Sequence, residues 1–511
     1  MEVENAPETL RAGGDFVLRT AHGKELQQAG ARWSAKLGAW TLPATQMHAQ
    51  MVDDMDLGLP SLRASLVVAE GSVDDDRLYP FQREAAGRLA VSPHGLLVCL
   101  SPGLGKTAVA IAAADACMTD QVVVVAPASL LRTWEREIHK WSKTHCEVYV
   151  ARGSMDYEAA GRARWIVTSW EWMTRHEKEF GKGWPVWVLD ESVLVKSRGS
   201  ARFKALDRLR KGIGRVWLLS GNPTTRYADD LWAQLHLIWP RAFASYWRFA
   251  ERYTVVEDTP WGKSITASRA GMNAARDNAD LMLVVNQEDV LDLPEYLFEV
   301  IDVGLTVPQA LAYGTMKKEF VAELENGTEV IAANEVAKLM KLQQIVSCWD
   351  GHSSKRDALV ELIKTYEAPY LVWTHFRATA VDLFTHLAAA GVDVRFVTGE
   401  TPQEDRDEIL ERFKNGGLDC LILSLGVGKF GHTFTIAKTV FYIDKTWAAD
   451  DYFQSLHRVR RIGLKHRPVV VTIHAPHTTD DLVEDNLEGK LGGISKMTKA
   501  HLATLLKGLG R

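Results

Sequence analysis

Short apolar runs separated by helical stretches dominate two long parts of the chain. In the first part the runs lie at residues 96–100, 122–126, 165–168, 186–189 and 216–219. In the second part they lie at 370–373, 394–397, 420–423, 440–443 and 469–473. Strands that alternate with helices form parallel sheets whose faces are covered by those helices. The pattern therefore predicts an α/β protein with two such lobes in tandem.

Other segments depart from this alternation. Residues 1–60 show short strands and turns, which predicts a small β-rich module that packs Trp33 and Trp40 in its own core. Between 241 and 350 the strand pattern fades and helices over 318–326 and 334–346 take over, which indicates a helical insertion and linker. The predicted domains are the module 1–60, which is a candidate DNA-binding unit, a first lobe 61–240, the insertion 241–350, a second lobe 351–485 and a tail 486–511.

Composition excludes several classes of protein. The 511 residues are 46% hydrophobic and 24% charged, which is typical of globular domains. No apolar run approaches the roughly 18 residues of a membrane span, and the first residues lack the basic start and apolar run of a signal peptide. Five scattered cysteines without a CxxC pair indicate neither a disulfide framework nor a structural zinc site. We therefore expect a cytoplasmic protein.

The charge balance leaves room for one local basic surface. With 60 basic and 65 acidic residues the formal net charge is −5, which excludes nucleic-acid binding through bulk positive charge. Between Lys196 and Lys211, however, seven basic residues stand beside a single acidic one, Asp207. Such a stretch binds phosphates in some proteins and is a solvated helix face in others, and charge alone leaves both interpretations open.

The strongest local signal is Ser-Pro-Gly-Leu-Gly-Lys-Thr at 101–107, between a predicted strand and an alanine-rich helix. Glycines in such a turn let backbone N–H groups and the helix N-terminus face phosphates, while the lysine reaches the outer phosphates and the hydroxyl holds Mg²⁺. The strict pattern has a further glycine where this chain has Leu100, so the match is to the shorter Gly-x-Gly-Lys-Thr form. The residues expected to bind a nucleoside triphosphate are Gly103, Leu104, Gly105, Lys106 and Thr107.

Two further groups supply the chemistry that such a loop requires. The run 186–189 ends in Asp190 and Glu191, and we expect Asp190 to hold Mg²⁺ with Thr107 while Glu191 polarises the attacking water. In the second lobe Arg458 and Arg461 are three residues apart and would share one face of a helix. Arginine binds phosphate bidentately, so this pair is predicted to stabilise charge on the γ-phosphate when the lobes close.

Taken in order, these motifs resemble the Swi/Snf family of superfamily-two helicase-like DNA translocases. The further positions that carry the resemblance are Phe81-Gln82, 126–131 with Trp134, 168–171, Ser192 and Lys196 after the acids, 219–223, and Leu423-Ser424 through Gly428, Gly431 and Thr435. The resemblance spans roughly residues 75–475. It implies two RecA-like lobes and an adenine contact by Gln82. It also implies nucleic-acid contacts by Ser129, Trp134, Thr168, Lys196 and Ser424.

The chain departs from the family pattern at several positions. The substituted residues are Ser101, Pro102, Ser192, Asn222 and Lys429, and the basic pair usual near 281–293 is missing. None of these changes removes a catalytic side chain, so the resemblance still implies an active enzyme. More loosely, Arg32, Trp33 and Trp40 resemble the module before the motor in the annealing-helicase (HARP-type) subfamily, which recognises branched DNA in that family.

We therefore expect an ATP-dependent DNA translocase or helicase that remodels branched or forked DNA by annealing, fork regression or branch migration. ATP and Mg²⁺ are the expected cofactors, duplex, forked or branched DNA is the expected partner, and the chain is expected to act as a monomer in a bacterial or phage-infected cell. Two alternatives stay open. One is a strand-separating DNA or RNA helicase, and the other is a nucleotide-switched DNA-binding scaffold without productive hydrolysis.

Overall fold

Two parallel sheets organise the chain, one in each of its two units, Met1–Leu291 and Asp292–Arg511. The structure is a computed structural model that describes residues 10–11, 15–18, 23–35, 39–55, 66–67, 71–144, 146–180, 183–224, 227–259, 262–324, 333–426, 432–488 and 499–509. Within these ranges no helix is both long enough and apolar enough to cross a membrane.

A small module begins the first unit. Its elements are β1 (Leu10–Arg11), β2 (Asp15–Leu18), α1 (Gly23–Gln28), β3 (Arg32–Ser34), β4 (Ala39–Pro43), α2 (Gln46–Asp53) and β5 (Leu66–Val67). β2, β4 and β3 form an antiparallel sheet, and Phe16 and Leu42 pack with Leu26 of α1 in its core. Trp33 lies opposite Trp40, but the side chain of Trp33 is 56% exposed. The prediction that both tryptophans are core residues is therefore wrong for Trp33, because β3 is a three-residue edge strand.

The module shares a core with the lobe that follows it. Met47 of α2 belongs to the same hydrophobic cluster as Leu281 and Met282. The backbone N–H of Gln46 donates to Asp280 Oδ2 at 3.2 Å. Burial raises the pKa of this carboxyl to about 7. The module is thus packed on the first lobe through apolar side chains and one buried acid.

The first lobe is an alternation of strands and helices. Its elements are α3 (Pro80–Val91), β6 (Gly95–Leu100), α4 (Lys106–Ala116), β7 (Val122–Ala126), α5 (Leu131–Trp141), β8 (Val148–Val150), α6 (Tyr157–Arg162), β9 (Trp165–Ser169), α7 (Trp170–Arg175), β10 (Trp184–Asp190), α8 (Ala201–Leu209), β11 (Ile213–Ser220), α9 (Asp230–Ile238), α10 (Tyr246–Tyr253), β12 (Thr254–Thr259), β13 (Gly262–Ser268), α11 (Ala274–Asp277), β14 (Met282–Val285) and α12 (Gln287–Val290). Short 3-10 turns lie at Ala128–Leu130, Glu177–Glu179, Ser192–Val195 and Arg210–Gly212.

Seven of these strands form one parallel sheet in the order β14-β6-β11-β10-β7-β9-β8. The central strands are continuous apolar runs that are buried along their whole length, as expected for a parallel sheet with helices on both faces. The carboxyl ends of parallel strands meet at one edge of a sheet. The ends of β6, β10 and β11 therefore lie together there.

The second unit repeats this plan. Its elements are β15 (Leu297–Asp302), α13 (Val307–Leu324), α14 (Ala333–Ser347), α15 (Ser354–Leu362), β16 (Tyr370–Thr374), α16 (Arg377–Ala389), β17 (Val394–Val397), α17 (Gln403–Lys414), β18 (Cys420–Ser424), β19 (Thr439–Tyr442), α18 (Ala449–Leu456), β20 (Val469–His474), α19 (Thr479–Leu487) and α20 (Lys499–Gly508). Six strands form a parallel sheet in the order β15-β20-β19-β16-β18-β17. The predicted fold class, with two parallel-sheet lobes in tandem, is confirmed.

The region 241–350 differs from the helical insertion that the pattern predicted. β12 and β13 form an antiparallel hairpin, β14 joins the edge of the first sheet beside β6, and β15 joins the edge of the second sheet beside β20. α13 and α14 are helical as expected and pack with α20 through Phe320, Leu339 and Leu506. β13 and β15 do not show the strand pattern because they are largely exposed and lack a continuous apolar run. β14 is a continuous apolar run, but its four residues are too few to distinguish a strand from a helical segment.

Candidate nucleotide-binding site

The loop between β6 and α4 has the backbone shape of a phosphate cradle. Gly103 and Gly105 have φ angles of 91° and 80°, in the left-handed region that glycine adopts without strain. Gly105 is the N-cap of α4, so the free N–H groups at the start of an 11-residue helix face the loop. A Cβ atom at Gly105 would lie 2.4 Å from Gln82 Nε2, so a side chain does not fit there. The loop that the sequence predicted is therefore present with its geometry.

Gln82 holds this loop. It lies on α3 and is buried, with its Nε2 donating to Leu104 O at 2.9 Å and its Oε1 accepting from Tyr79 N at 2.9 Å. The amide thus connects the start of α3 to the middle of the glycine loop. Its predicted contact with adenine stays a prediction.

Lys106 lies between the loop and the end of β11. Its Nζ donates to Leu100 O at 3.1 Å. A Cβ atom at Gly221 would lie 3.7 Å from the same Nζ, an ordinary contact distance, so the segment after β11 passes beside the ammonium group. Thr107 follows on the first turn of α4 and is half-buried. Both side chains are therefore at the carboxyl edge of the first sheet.

Asp190 and Glu191 stand at the end of β10. Asp190 is buried; its Oδ2 accepts from Trp134 Nε1 at 2.9 Å, and its Oδ1 accepts from the backbone N–H of Glu191 at 2.9 Å. Burial first, and then the charge of Glu191, raises the pKa of Asp190, while Trp134 and the charge of Lys106 oppose that rise. Glu191 has a φ angle of 50°, which is strained for a residue with a side chain. The acidic pair therefore sits in a constrained turn within electrostatic reach of Lys106.

Two of the predicted nucleic-acid contacts are buried instead. Trp134 is only 1% exposed and uses its indole N–H on Asp190, so the prediction of a DNA contact there is wrong. Thr168 lies in β9 with no exposed surface, so its side chain cannot meet a ligand in this structure. Ser129 is half-buried as a residue, but its Oγ is covered, so Lys196, which is half-buried, remains the candidate. The physical reason is that Trp134 shares the buried face of α5 with Leu131 and Ile138, and that β9 is buried along its whole length.

The arginines of the second unit do not lie on a helix, contrary to the prediction. α18 ends at Leu456, and Arg458 and Arg461 lie in the turns that follow. Side chains take up the last carbonyls of the helix, because Tyr296 Oη donates to Leu456 O and Arg461 Nε donates to His457 O. Leu456 O also accepts from Val459 N and Ser455 O from Arg458 N, so the chain passes from the α-helix into tighter three-residue turns there.

Both arginines are nevertheless held in place within this unit. Arg458 is buried, and its backbone carbonyl accepts from Phe434 N at 2.7 Å. Arg461 Nη1 donates to Thr433 Oγ1 at 2.8 Å. Ser424 is the last residue of β18 and is almost fully buried. Of the motif that it begins, Gly428, Lys429 and Gly431 lie outside the described residues.

Comparison with known families bears on this arrangement. The family described as SNF2-related domain matches residues 26–349, and the helicase conserved C-terminal domain matches residues 354–463. The chain belongs to the SNF2-related family. The predicted Swi/Snf family and the predicted enzyme class, a helicase-like ATPase, are confirmed.

Relatives of this SNF2-related chain are similar over most of it. It is 25% identical over 430 residues to the SWI/SNF-related matrix-associated actin-dependent regulator of chromatin subfamily A-like protein 1 of Xenopus laevis, covering 81% of the chain and 43% of the relative. It is 22% identical over 404 residues to the DNA annealing helicase and endonuclease ZRANB3 of Bos taurus, covering 76% of the chain and 37% of the relative. The chain thus spans less than half the length of these two relatives.

A bacterial relative and a solved structure are similar as well. The putative ATP-dependent helicase/translocase YwqA of Bacillus subtilis is 24% identical over 486 residues, covering 87% of the chain and 52% of the relative. The Sulfolobus solfataricus SWI2/SNF2 ATPase core in complex with dsDNA is 22% identical, covers 86% of the chain and 97% of its own, and has a TM-score of 0.40.

Most cations of the stretch 196–211 are engaged within the first unit of the SNF2-related chain. Arg202 pairs with Glu171, Arg208 pairs with Glu177, and Arg198 lies 4.1 Å from the ring centroid of Tyr246. Arg210 is buried and donates to the carbonyl oxygens of Leu237, Ile213 and Ile238. Four of the seven basic side chains are therefore held by partners within the first unit. This favours a structural role for the stretch over binding of phosphates.

One polar residue of the site was not found by sequence reasoning. Gln234 of α9 is fully buried and connects Ser192, next to the acidic pair, with Pro223, beyond the end of β11. The available signal was a single polar residue inside the apolar run Leu-Trp-Ala-Gln-Leu. A buried amide in such a run requires hydrogen-bond partners.

Proposed function

We propose that the chain is an ATP-dependent DNA translocase that remodels branched or forked duplexes. The observation that carries this proposal is the meeting of the glycine loop and the acidic pair at one edge of the first sheet. There Lys106 is close enough to Asp190 to affect its pKa. Membership of the SNF2-related family supports ATP as the nucleotide.

Thr107 and Asp190 would hold Mg²⁺. They fit such an ion, because Asp190 is a buried carboxylate whose charge is disfavoured by burial and would be offset by a cation. The described residues contain no cluster of three or more metal-ligating side chains. That fits Mg²⁺, which commonly takes one or two protein carboxylates and completes its shell with phosphate oxygens and water. When bound, the ion would offset the negative charge of the phosphates.

The chain's own residues divide the remaining work. The Lys106 ammonium faces the outer phosphates, and the N–H groups at the start of α4 orient them. Glu191 accepts a hydrogen bond from the attacking water and directs it in line with the γ-phosphate. Arg458 and Arg461 are the proposed second-lobe contribution, which stabilises negative charge as it develops. Each of these roles depends on preorganised charge rather than on a covalent intermediate.

DNA is the proposed partner. The relatives include a protein named as a DNA annealing helicase and a SWI2/SNF2 core solved with double-stranded DNA. By analogy with those names, we propose that this chain binds duplex DNA through phosphate contacts, among them one made by Lys196. Ser129 Oγ and Ser424 are buried in this structure and are not part of the proposed contact. The module 1–60 would add the preference for branches, since Trp33 offers an exposed ring on which an unpaired base can stack. The monomeric state and the cytoplasmic setting also stay predictions.

The test is the ATPase rate of the chain with single-stranded, duplex, forked and four-way DNA. We expect stimulation by DNA that is greatest for forked or four-way substrates and that weakens steeply with salt. Lys106→Ala and Glu191→Gln should abolish hydrolysis and leave the fold intact, whereas Lys364→Ala, at an exposed residue after α15, should change nothing. Phosphate release that persists in either active-site variant would overturn the assignment.

Arg461→Ala separates binding from turnover. We expect nearly unchanged affinity for ATP and a strong fall in kcat, because the guanidinium acts on charge that develops only in the transition state. A variant that loses ATP affinity instead would contradict the proposed role.

The two alternatives predict other outcomes. A strand-separating DNA or RNA helicase would displace a strand from a simple duplex, and a displacement assay with DNA and RNA duplexes detects that. A nucleotide-switched scaffold would bind ATP and DNA without DNA-stimulated phosphate release. Glu191, the residue placed to activate water, favours the enzyme over the scaffold.

A further inference from the structure

A buried glutamine connects the two segments that flank Lys106. Gln234 accepts a hydrogen bond from Ser192 Oγ at 2.8 Å through its Oε1. Its Nε2 donates to Pro223 O at 2.7 Å and to Asp230 O, on its own helix, at 3.2 Å. The amide therefore uses its oxygen and both of its N–H groups. One side chain of α9 thus joins the turn after β10 to the turn after β11.

Both ends of this connection belong to the nucleotide site. Ser192 directly follows Glu191 and is fully buried at the start of a 3-10 turn. Pro223 closes the segment that begins at the end of β11, and that segment contains Gly221, the residue close to Lys106 Nζ. β10 and β11 are neighbouring parallel strands. The glutamine fixes the distance between two turns that leave the sheet side by side.

Packing alone does not account for an amide at this position. The neighbours of Gln234 along α9 are buried apolar residues, among them Leu231, Leu235 and Ile238. An amide in such surroundings is tolerated only when all of its hydrogen bonds are made. A leucine of similar volume would fill the same space on α9 and would bring no polar side-chain atoms that need hydrogen-bond partners. The hydrogen bonds to Ser192 and Pro223 are what distinguish glutamine from leucine there.

We propose that Gln234 is a positioning residue for ATP hydrolysis. It holds the acidic turn and the turn 220–224 in one register, so that Glu191 keeps its place relative to Lys106 during turnover. Gln234 acts through Ser192 and Pro223 and does not itself contact the nucleotide. This inference rests on the proposed function, and it adds a residue outside the phosphate loop and the acidic pair.

Gln234→Leu and Ser192→Ala test it in the full-length chain. Each variant should lower the kcat of DNA-stimulated ATP hydrolysis by about tenfold and leave the KM for ATP within about twofold, because ground-state binding does not need the connection. The double variant should be no slower than Gln234→Leu alone, since both changes break the same connection. Ser192→Thr keeps the hydroxyl and should restore most of the rate.

Thermal unfolding and nucleotide binding distinguish positioning from a merely structural role. The Tm of Gln234→Leu should fall by a few degrees, because the buried Ser192 hydroxyl and the Pro223 carbonyl lose their partner, so the rates are compared well below that Tm. The equilibrium affinity for a fluorescent, non-hydrolysable ATP analogue should not change. Gln343→Leu is the matched control, since Gln343 is a buried glutamine of α14 that donates to Lys445 O, and its kcat should equal that of the parent.

Two results would overturn the inference and a third concerns only the proposed function. The inference fails if Gln234→Leu has the same kcat as the parent. It also fails if Gln343→Leu loses as much rate as Gln234→Leu and if the loss of rate in both variants parallels the fall in Tm. If the parent chain itself shows no DNA-stimulated ATPase, the proposed function fails. The same ATPase assay therefore distinguishes the two failures: the variants test the inference, and the parent chain tests the proposed function.

Discussion

Two tryptophans of the first unit are used in opposite ways. Trp134 on α5 is buried and donates its indole N–H to Asp190, so its polar group serves a carboxylate of the candidate site. Trp33 on β3 has over half of its side chain in solvent and touches Trp40 edge to face, with ring centroids 5.5 Å apart. The indole of Trp134 supports the candidate site in the same way on every DNA substrate. The ring of Trp33 is exposed and can contact a partner. Changes at the two positions should therefore affect different quantities.

Of the changes that test this comparison, Trp134→Phe should have the largest effect on turnover. This change keeps an aromatic ring in the core and removes the donor to Asp190 Oδ2. A hydrogen bond to a charged group is worth about 1.5–3 kcal/mol, so we expect kcat to fall by roughly ten- to a hundredfold, equally on every DNA substrate.

Trp187→Phe is the matched control for that variant. Trp187 lies on β10, the strand of Asp190, and is equally buried, but its Nε1 has no hydrogen-bond partner among the described residues. It should lower the Tm without changing the ATPase rate. If both variants lose activity to the same extent, the hydrogen bond has no special role.

The next effect in size is that of Trp33→Ala. Stacking of a base on an aromatic ring contributes about 1–3 kcal/mol, so the affinity for forked DNA should fall by roughly tenfold while the affinity for plain duplex stays unchanged. Fluorescence anisotropy with the two substrates measures both. Tyr157→Ala removes an exposed aromatic residue of α6 and should change neither affinity. If the affinities for forked and duplex DNA fall equally, Trp33 does not contribute to branch recognition.

The last effect is on stability and not on activity, and it concerns how the module that carries Trp33 is attached. The pKa of Asp280 rises from its ordinary 3.8 to about 7 through burial, so the folded chain holds this proton more tightly than the unfolded chain. The free energy of unfolding should therefore fall as the pH rises from about 4 to about 7. Asp280→Asn should flatten that dependence, as measured by urea unfolding at several pH values. An unchanged slope in the variant would mean that another group titrates.

Much of this fold follows from local pattern. Continuous apolar runs such as that of β7 predict buried parallel strands almost to the residue, and the glycine loop and acidic pair are recognisable because each is a short stretch with a fixed chemistry. Edge strands such as β15 do not show this pattern, since much of their length is in contact with solvent. Their place depends on a neighbour that is distant in the chain.

The site residues that escaped prediction are those fixed by long-range contacts. The spacing of Leu131, Trp134 and Ile138 places the indole on the apolar face of α5, but Trp134 and Asp190 are 56 positions apart and no local rule pairs them. The end of α18 is contacted by Tyr296, 160 positions before Leu456, and the chain turns there, so a helical pairing of Arg458 and Arg461 is the natural but wrong local interpretation. Periodicity describes which residues share a face, while tertiary packing decides what that face meets.

The left-handed backbone of Glu191 has an evolutionary consequence. Glycine or asparagine would occupy a φ of 50° at lower conformational cost, by about 1 kcal/mol or more, yet neither can accept a proton from water as a carboxylate can. Selection for thermal stability and selection for turnover thus favour different residues at position 191. Laboratory evolution for thermal stability alone should therefore select glycine or asparagine at position 191 and yield variants that are more stable but lack ATPase activity.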